Sequence, residues 1–234
     1  MNGSFYAAVT GASGQQTKMD VVANNMANIN TAGYKSQSAV FSSLVQKKLS
    51  DSVSGLETVR TGTGAAVKKI GTEFTPAGYT QTDNENDYAI VGKGFFMLQN
   101  PVSGDTTFTR DGSFSLSQRG GDFYLASSDG KLVLDKAGRY IRMEEGTNPD
   151  IGIFTFEVEA GLKNIGKNEY EATPVNGEPV LSESSSLQQG ALEISGVDLA
   201  AEMAKAMEAQ KAYSLALKMI QTSDDVAGTI NTLR

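Results

Sequence analysis

The sequence predicts an α+β protein, with long N- and C-terminal helices pairing as a coiled-coil-like inner domain and a central all-β module. Three observations carry this. Apolar residues recur at steps of three and four at both ends of the chain. The stretch between Val197 and Ala227 holds neither Gly nor Pro and is rich in Ala. Short runs of strand formers, separated by Gly-containing turns, fill the middle.

At the N-terminus Phe5, Val9, Ala12, Met19, Val22, Met26 and Ile29 share one stripe, with Gln16 in a polar slot. Gly11 and Gly14 weaken this helix by about 0.5–1 kcal/mol each relative to Ala. At the C-terminus Leu199, Met203, Ala206, Tyr213, Leu217 and Ile220 keep the same step, with Gln210 polar in the stripe. Val226, Ile230 and Leu233 continue it after a register shift. Ser195 with Asp198 reads as a capping-box variant, and Ile194 with Leu199 as a hydrophobic staple. A helix of about 35 residues is on the order of 50 Å long, which suits a bundle or coiled coil better than a small globule.

The strand-rich runs are Asp87–Gln99, Thr106–Ser117, Phe123–Ala126, Leu132–Leu134, Arg139–Met143 and Ile151–Val158. Turns are expected at Gly92-Lys93-Gly94, Asp111-Gly112, Gly120-Gly121, Asp129-Gly130 and Gly138. No strand–helix–strand alternation occurs, which argues against a parallel sheet. The expected division is an N-terminal helical part over 1–49, an extended linker over 50–86, a β-module over 87–190 and a C-terminal helix over 191–234.

Composition excludes most chemistry. The 234 residues include no Cys, His or Trp. That removes thiolate nucleophiles, disulfides, zinc fingers, iron–sulfur clusters and every triad that needs an imidazole. The net charge of −7 argues against nucleic-acid binding. Residues 1–35 carry Lys18 and Lys35 against Asp20, a net +1, and residues 198–234 a net −1. The whole acidity therefore lies between Ser36 and Val197. No secretory signal is expected at the start, and no window is apolar enough to span a membrane.

Several patterns have bland readings that outweigh the sharp ones. Asp83, Glu85 and Asp87 alternate as in a calcium loop, but the sixth and twelfth positions hold Tyr88 and Gly94 where Gly and Glu belong. Arg110-Asp111-Gly112 is an adhesive tripeptide on paper and more simply a hairpin turn. Asp83 with Asp87, or Glu144 with Glu145, could be posed as a hydrolase pair, without a cleft to support it. Met203, Met207 and Met219 fall at helical spacing, as packing residues do.

One segment resists a bland reading. Ala23 to Lys35 reads ANNMANINTAGYK, with four Asn between Asn24 and Asn30. Asn is a poor helix former and a strong capping and turn residue. Nothing in the segment titrates usefully near neutral pH, so its many donors and acceptors suit a specific protein interface rather than catalysis.

This segment resembles the ANNLANxxTxGYK signature of bacterial flagellar rod and hook proteins, with Met26 in the place of Leu. Gly11, Gln15-Gln16 and Met19-Asp20-Val21-Val22 are similar to the start of that family. Ala89–Phe96 (AIVGKGFF), Thr109–Phe114 (TRDGSF), Gln189–Glu193 (QGALE) with Val197-Asp198 and Glu202-Met203, and Gln210–Tyr213 resemble its later blocks, in the same order along essentially the whole chain. Hook members are longer and carry an extra outer β domain, so a rod member is the better match, and the start and tail are more similar to the distal rod type.

The resemblance implies an axial structural subunit, without cofactor or enzymatic activity, that polymerises into the hollow rod carrying torque from motor to hook. Its implied partners are itself, other flagellar rod and hook subunits and the flagellar type III export apparatus, which uses no cleaved signal, with no nucleic acid and no membrane insertion. The implied location is the basal body, outside the cytoplasm. The alternatives are a proximal-rod or hook-like paralogue and a secreted adhesin-like module. The candidate assembly residues are Phe5, Gln15, Gln16 and Met19 on the first helix, and Asn24, Asn25, Met26, Asn28, Thr31, Gly33, Tyr34 and Lys35 in the signature. On the last helix they are Leu199, Met203, Gln210, Tyr213, Leu217 and Ile220.

Overall fold

A computed structural model describes residues 3–44, 46–48, 60–143, 149–182 and 184–233. The chain forms two compact units. The first combines residues 1–27, 37–71 and 198–234, and the second combines 28–36 with 72–197.

In the first unit α1 (Gly3–Ala27) and α2 (Leu199–Thr232) pack against each other. Lys18 Nζ meets Glu208 Oε2 at 3.0 Å and Asn25 Nδ2 donates to Glu202 Oε2 at 3.2 Å, so the two helices run antiparallel. The strand Gln37–Ser43 pairs with Ala65–Thr72 and packs on α1. Gly14 has a packing reason for its presence, because a Cβ there would lie 2.8 Å from the Phe41 ring. Gly11 has no such neighbour.

Two expectations about α2 are corrected. Its N-cap is Asp198, whose Oδ1 accepts from the N–H groups of Ala200 (2.9 Å) and Ala201 (3.3 Å). Ser195 is not a capping residue. A cap at 198 moves the staple positions to Val197 and Glu202, and Glu202 is charged, so Ile194 and Leu199 both stay exposed. The inward face also differs from the expected stripe. Glu202 and Ala209 are buried, and Ala206, Tyr213, Ala216 and Ile220 are half-buried, a run at steps of four and three. Leu199, Met203, Gln210 and Leu217 are exposed instead. Alanines let two backbones approach closely, and that rotates the seam away from the larger side chains.

The second unit is built on an antiparallel sheet. Its strand order is Arg142–Met143, Asp122–Ala126, Leu132–Val133, Phe95–Gln99, Thr106–Thr109, Glu169–Glu171 and Lys163–Gly166. The strand Phe95–Gln99 is buried on both faces because its residues alternate between two clusters. Phe96 and Leu98 join Tyr88, Ile90, Phe114, Leu125 and Val133, while Phe95 joins Phe108, Phe154, Phe156 and Tyr170. Early and late segments close on each other. Tyr88–Val91 pairs with Ser186–Gln189, and Tyr79–Gln81 with Ala191–Glu193.

The Gly120-Gly121 turn is a two-residue hairpin loop between Arg119 and Asp122, with φ of 62° and 97°. Asp111-Gly112 is not a hairpin, since the strands on either side pair with other partners. Gly112 is there for close approach. A Cβ on it would sit 1.6 Å from the Tyr88 carbonyl oxygen. Gly92-Lys93-Gly94 likewise joins two strands that pair elsewhere.

Candidate functional site

Three separated blocks of sequence converge in the second unit on one carboxylate, that of Glu193. It is set on the inward side of the strand Ala191–Glu193, beyond the outward Leu192. Arg110 Nε donates to its Oε2 at 2.8 Å, and Arg110 Nη2 to Oε1 at 3.2 Å. Lys35 Nζ donates to Oε1 at 2.7 Å, as does the Ala77 N–H at 2.8 Å. The remaining donors are spent on backbone. Arg110 Nη1 reaches the carbonyls of Gly92 (3.0 Å) and Gly94 (2.7 Å), and Lys35 Nζ that of Thr75 (2.8 Å). All three charged side chains are at most 2% exposed.

Two cations and one anion leave an excess positive charge out of water, offset by the dipoles of the surrounding carbonyls. Burial pulls the Lys35 ammonium below the ordinary lysine value, and its bond to Glu193 opposes that pull. Burial pushes the nearby Tyr170 phenol up, and its hydroxyl has no hydrogen-bond partner among the described residues.

Lys35 arrives by way of a tight turn. The Thr31 N–H donates to the Asn28 carbonyl (3.1 Å) and the Tyr34 N–H to that of Thr31 (3.3 Å). Gly33 has φ +64° and donates its N–H to the Glu193 carbonyl at 2.8 Å. A Cβ at Gly33 would lie 2.5 Å from the Arg110 carbonyl oxygen, so both conformation and space require glycine.

Asn25 plays the corresponding part in the first unit. Fully buried, it donates to the Gln37 carbonyl at 2.8 Å and to Glu202, and its Oδ1 accepts from the Gln37 N–H at 2.9 Å. Asn25 and Lys35 thus use their polar atoms within their own chain. Gly33 and Tyr34 are also buried. Phe5, Gln15, Met19, Met26, Asn28 and Thr31 are half-buried, as are Tyr213 and Ile220. Gln16 and Asn24 are exposed, together with Leu199, Met203, Gln210 and Leu217.

Arg110, Glu193 and Glu202 were not anticipated as site residues. A signal existed for Glu193, because a charge in the inward register of an alternating strand needs a buried partner. Nothing local names the partner 83 residues away.

The adhesive reading fails on geometry. Arg110 is only 3% exposed, so the tripeptide presents no guanidinium to a receptor. Asp87 accepts from Thr82 Oγ1 (2.8 Å) and Asn84 Nδ2 (2.9 Å), the ordinary use of an aspartate in a turn. Among the described residues no group of three acidic side chains could hold a metal, and Glu144 and Glu145 lie outside them. Among the described residues, no helix is long and apolar enough to cross a membrane.

Comparison with known proteins gives a consistent result. Residues 5–35 match the flagella basal body rod protein family. Residues 89–165 match the flagellar hook protein FlgE/F/G D1 domain, and residues 188–233 the flagellar basal body rod FlgEFG protein C-terminal family. The chain is 31% identical to the flagellar basal-body rod protein FlgG of Buchnera aphidicola subsp. Baizongia pistaciae, over 98% of this chain and 99% of the relative. It is 30% identical to FlgG of Bacillus subtilis, over 99% and 98%. It is 28% identical to the flagellar basal-body rod protein FlgF of Caulobacter vibrioides, over 97% and 96%.

Proposed function

Because the chain belongs to the flagellar basal-body rod family, we propose that it polymerises through faces its terminal helices leave open, with copies of itself and with other rod and hook subunits. It is a structural subunit of the flagellar basal-body rod. Its place is the basal body, outside the cytoplasm, and its route there is the flagellar type III export apparatus. Its work is mechanical rather than catalytic.

The exposed apolar surface of α2 supports this reading. At about 100° per residue, Leu199, Met203, Met207 and Leu217 lie on one flank of the alanine seam. Leu215, Met219, Val226, Ile230 and Leu233 lie on the other, and all nine are exposed. Burying such a side chain is worth about 1.5–3 kcal/mol, so a few of them offset the cost of holding a neighbour. Two different flanks give two different contacts, and heterologous contacts of that kind propagate as an open helix. The candidate residues divide accordingly. Leu199, Met203, Gln210, Leu217, Gln16 and Asn24 face neighbouring subunits, while Asn25, Gly33, Tyr34 and Lys35 hold the subunit's own fold.

The test replaces Met203 and Leu217 by Asp together, in cells whose only copy of the protein carries the change. The expected outcome is a subunit with an intact β-unit, basal bodies without a completed rod in electron micrographs, and loss of swimming. Complete rods and normal motility would refute the proposed interface.

A further inference from the structure

We propose that residues 28–36 form a clasp that docks onto an otherwise complete β-unit, and that Lys35 is the charge that locks it. The pocket Lys35 enters is finished without it. Glu193 is already bound through both oxygens by Arg110 and by the Ala77 N–H, and Arg110 is anchored on the carbonyls of Gly92 and Gly94.

The clasp contributes no strand to its unit and no member of either apolar core cluster. Polar anchors attach it at separate places. The Gly33 N–H donates to the Glu193 carbonyl at 2.8 Å, and the Gly196 N–H to the Tyr34 carbonyl at 2.8 Å. The Glu73 N–H donates to the Ser36 carbonyl at 2.9 Å, and Asn168 Nδ2 to the Ala32 carbonyl at 2.7 Å. Asn168 holds that bond from a turn in which it and Lys167 both have positive φ, 62° and 51°. Tyr34 is buried as well, but it belongs to neither core cluster, and an element held by polar anchors, one charge and a single buried ring opens locally, at lower cost than the core it rests on.

The clasp begins one residue after the end of α1. Opening therefore frees residues 28–36 as one segment of the β-unit. On the proposed reading of a subunit exported as an extended chain, the β-unit can fold first and set the clasp as a later step.

Amide hydrogen exchange on the full-length protein and on Lys35→Met tests this. Expected is a rise of about tenfold or more in exchange at Gly33, Gly196 and Glu73, with Phe96, Met97 and Leu98 unchanged. Asn168→Gly keeps a residue suited to positive φ and removes the Ala32 anchor; a smaller rise at the same amides is expected. Unchanged exchange at those amides in either variant would overturn the clasp. So would a parallel rise in the core strand, or failure of Lys35→Met to fold, since the β-unit would then depend on the charge said only to lock its strap.

Discussion

Glu193 is the residue on which the charge balance of the β-unit turns. Its neutralisation in Glu193→Gln leaves Lys35 and Arg110 buried without a counter-ion, and removing one partner of a buried ion group costs about 3–5 kcal/mol. Thermal or denaturant unfolding of the variant should show a loss of that size. Tyr170 predicts the opposite sign. Its hydroxyl is buried without a partner among the described residues, so Tyr170→Phe should be neutral or stabilise by about 1 kcal/mol.

Lys35 and Tyr170 shape the alkaline limb. Lys35 titrates lower in the folded chain than in the unfolded one, so below pH 10.5 the unfolded state holds more protons and stability rises with pH. Tyr170 titrates higher when folded, so above pH 10.0 the unfolded state holds fewer protons and stability falls as pH rises. Tyr170→Phe should flatten the fall, and Lys35→Met the rise, in unfolding curves taken between pH 8 and 12.

At the scale of elements, the two glycines of α1 separate cleanly. Gly11→Ala meets nothing within 4 Å and should stabilise the helix by about 0.5–1 kcal/mol. Gly14→Ala gains the same propensity but drives a methyl into the Phe41 ring, so it should be neutral or destabilising. Melting followed by helical circular dichroism separates the two. Both glycines read alike in sequence, as interruptions of a helix, because the neighbour that distinguishes them sits 27 residues further along. The same limit explains α2. Its existence follows from propensity and from the absence of Gly and Pro between Val197 and Ala227, and it runs on through Gly228 to Thr232, but its inward face does not follow in the same way. A stripe of Leu and Met competes with a stripe of Ala half a step away, and only the closeness of α1 decides in favour of Ala.

At the scale of the molecule, the helix pair is unequal. The pairings of Lys18 with Glu208 and Asn25 with Glu202 set Gly3 level with about Ser223 of α2. Residues Asp224–Leu233 run on beyond α1, and all are exposed. Deleting residues 224–234 should leave the unfolding midpoint of the isolated subunit nearly unchanged while abolishing its incorporation into rods, read by electron microscopy of basal bodies. Wild-type incorporation would assign that end no role in assembly.

The sequence by itself determined the α+β class, the two terminal helices and the all-β middle. It also carried the family, through blocks of residues in a fixed order. These are local properties, written in periodicity, propensity and turn chemistry within a few residues of each position. Only the tertiary structure decided that the signature's Lys35, the Arg110 of a supposed hairpin and the Glu193 of a late strand form one buried cluster, and that Asn25 bonds to Gln37 and Glu202. Such partners are chosen by desolvation. A charge or amide taken out of water must find its complement wherever the fold supplies it, and that place has no mark in the linear chain.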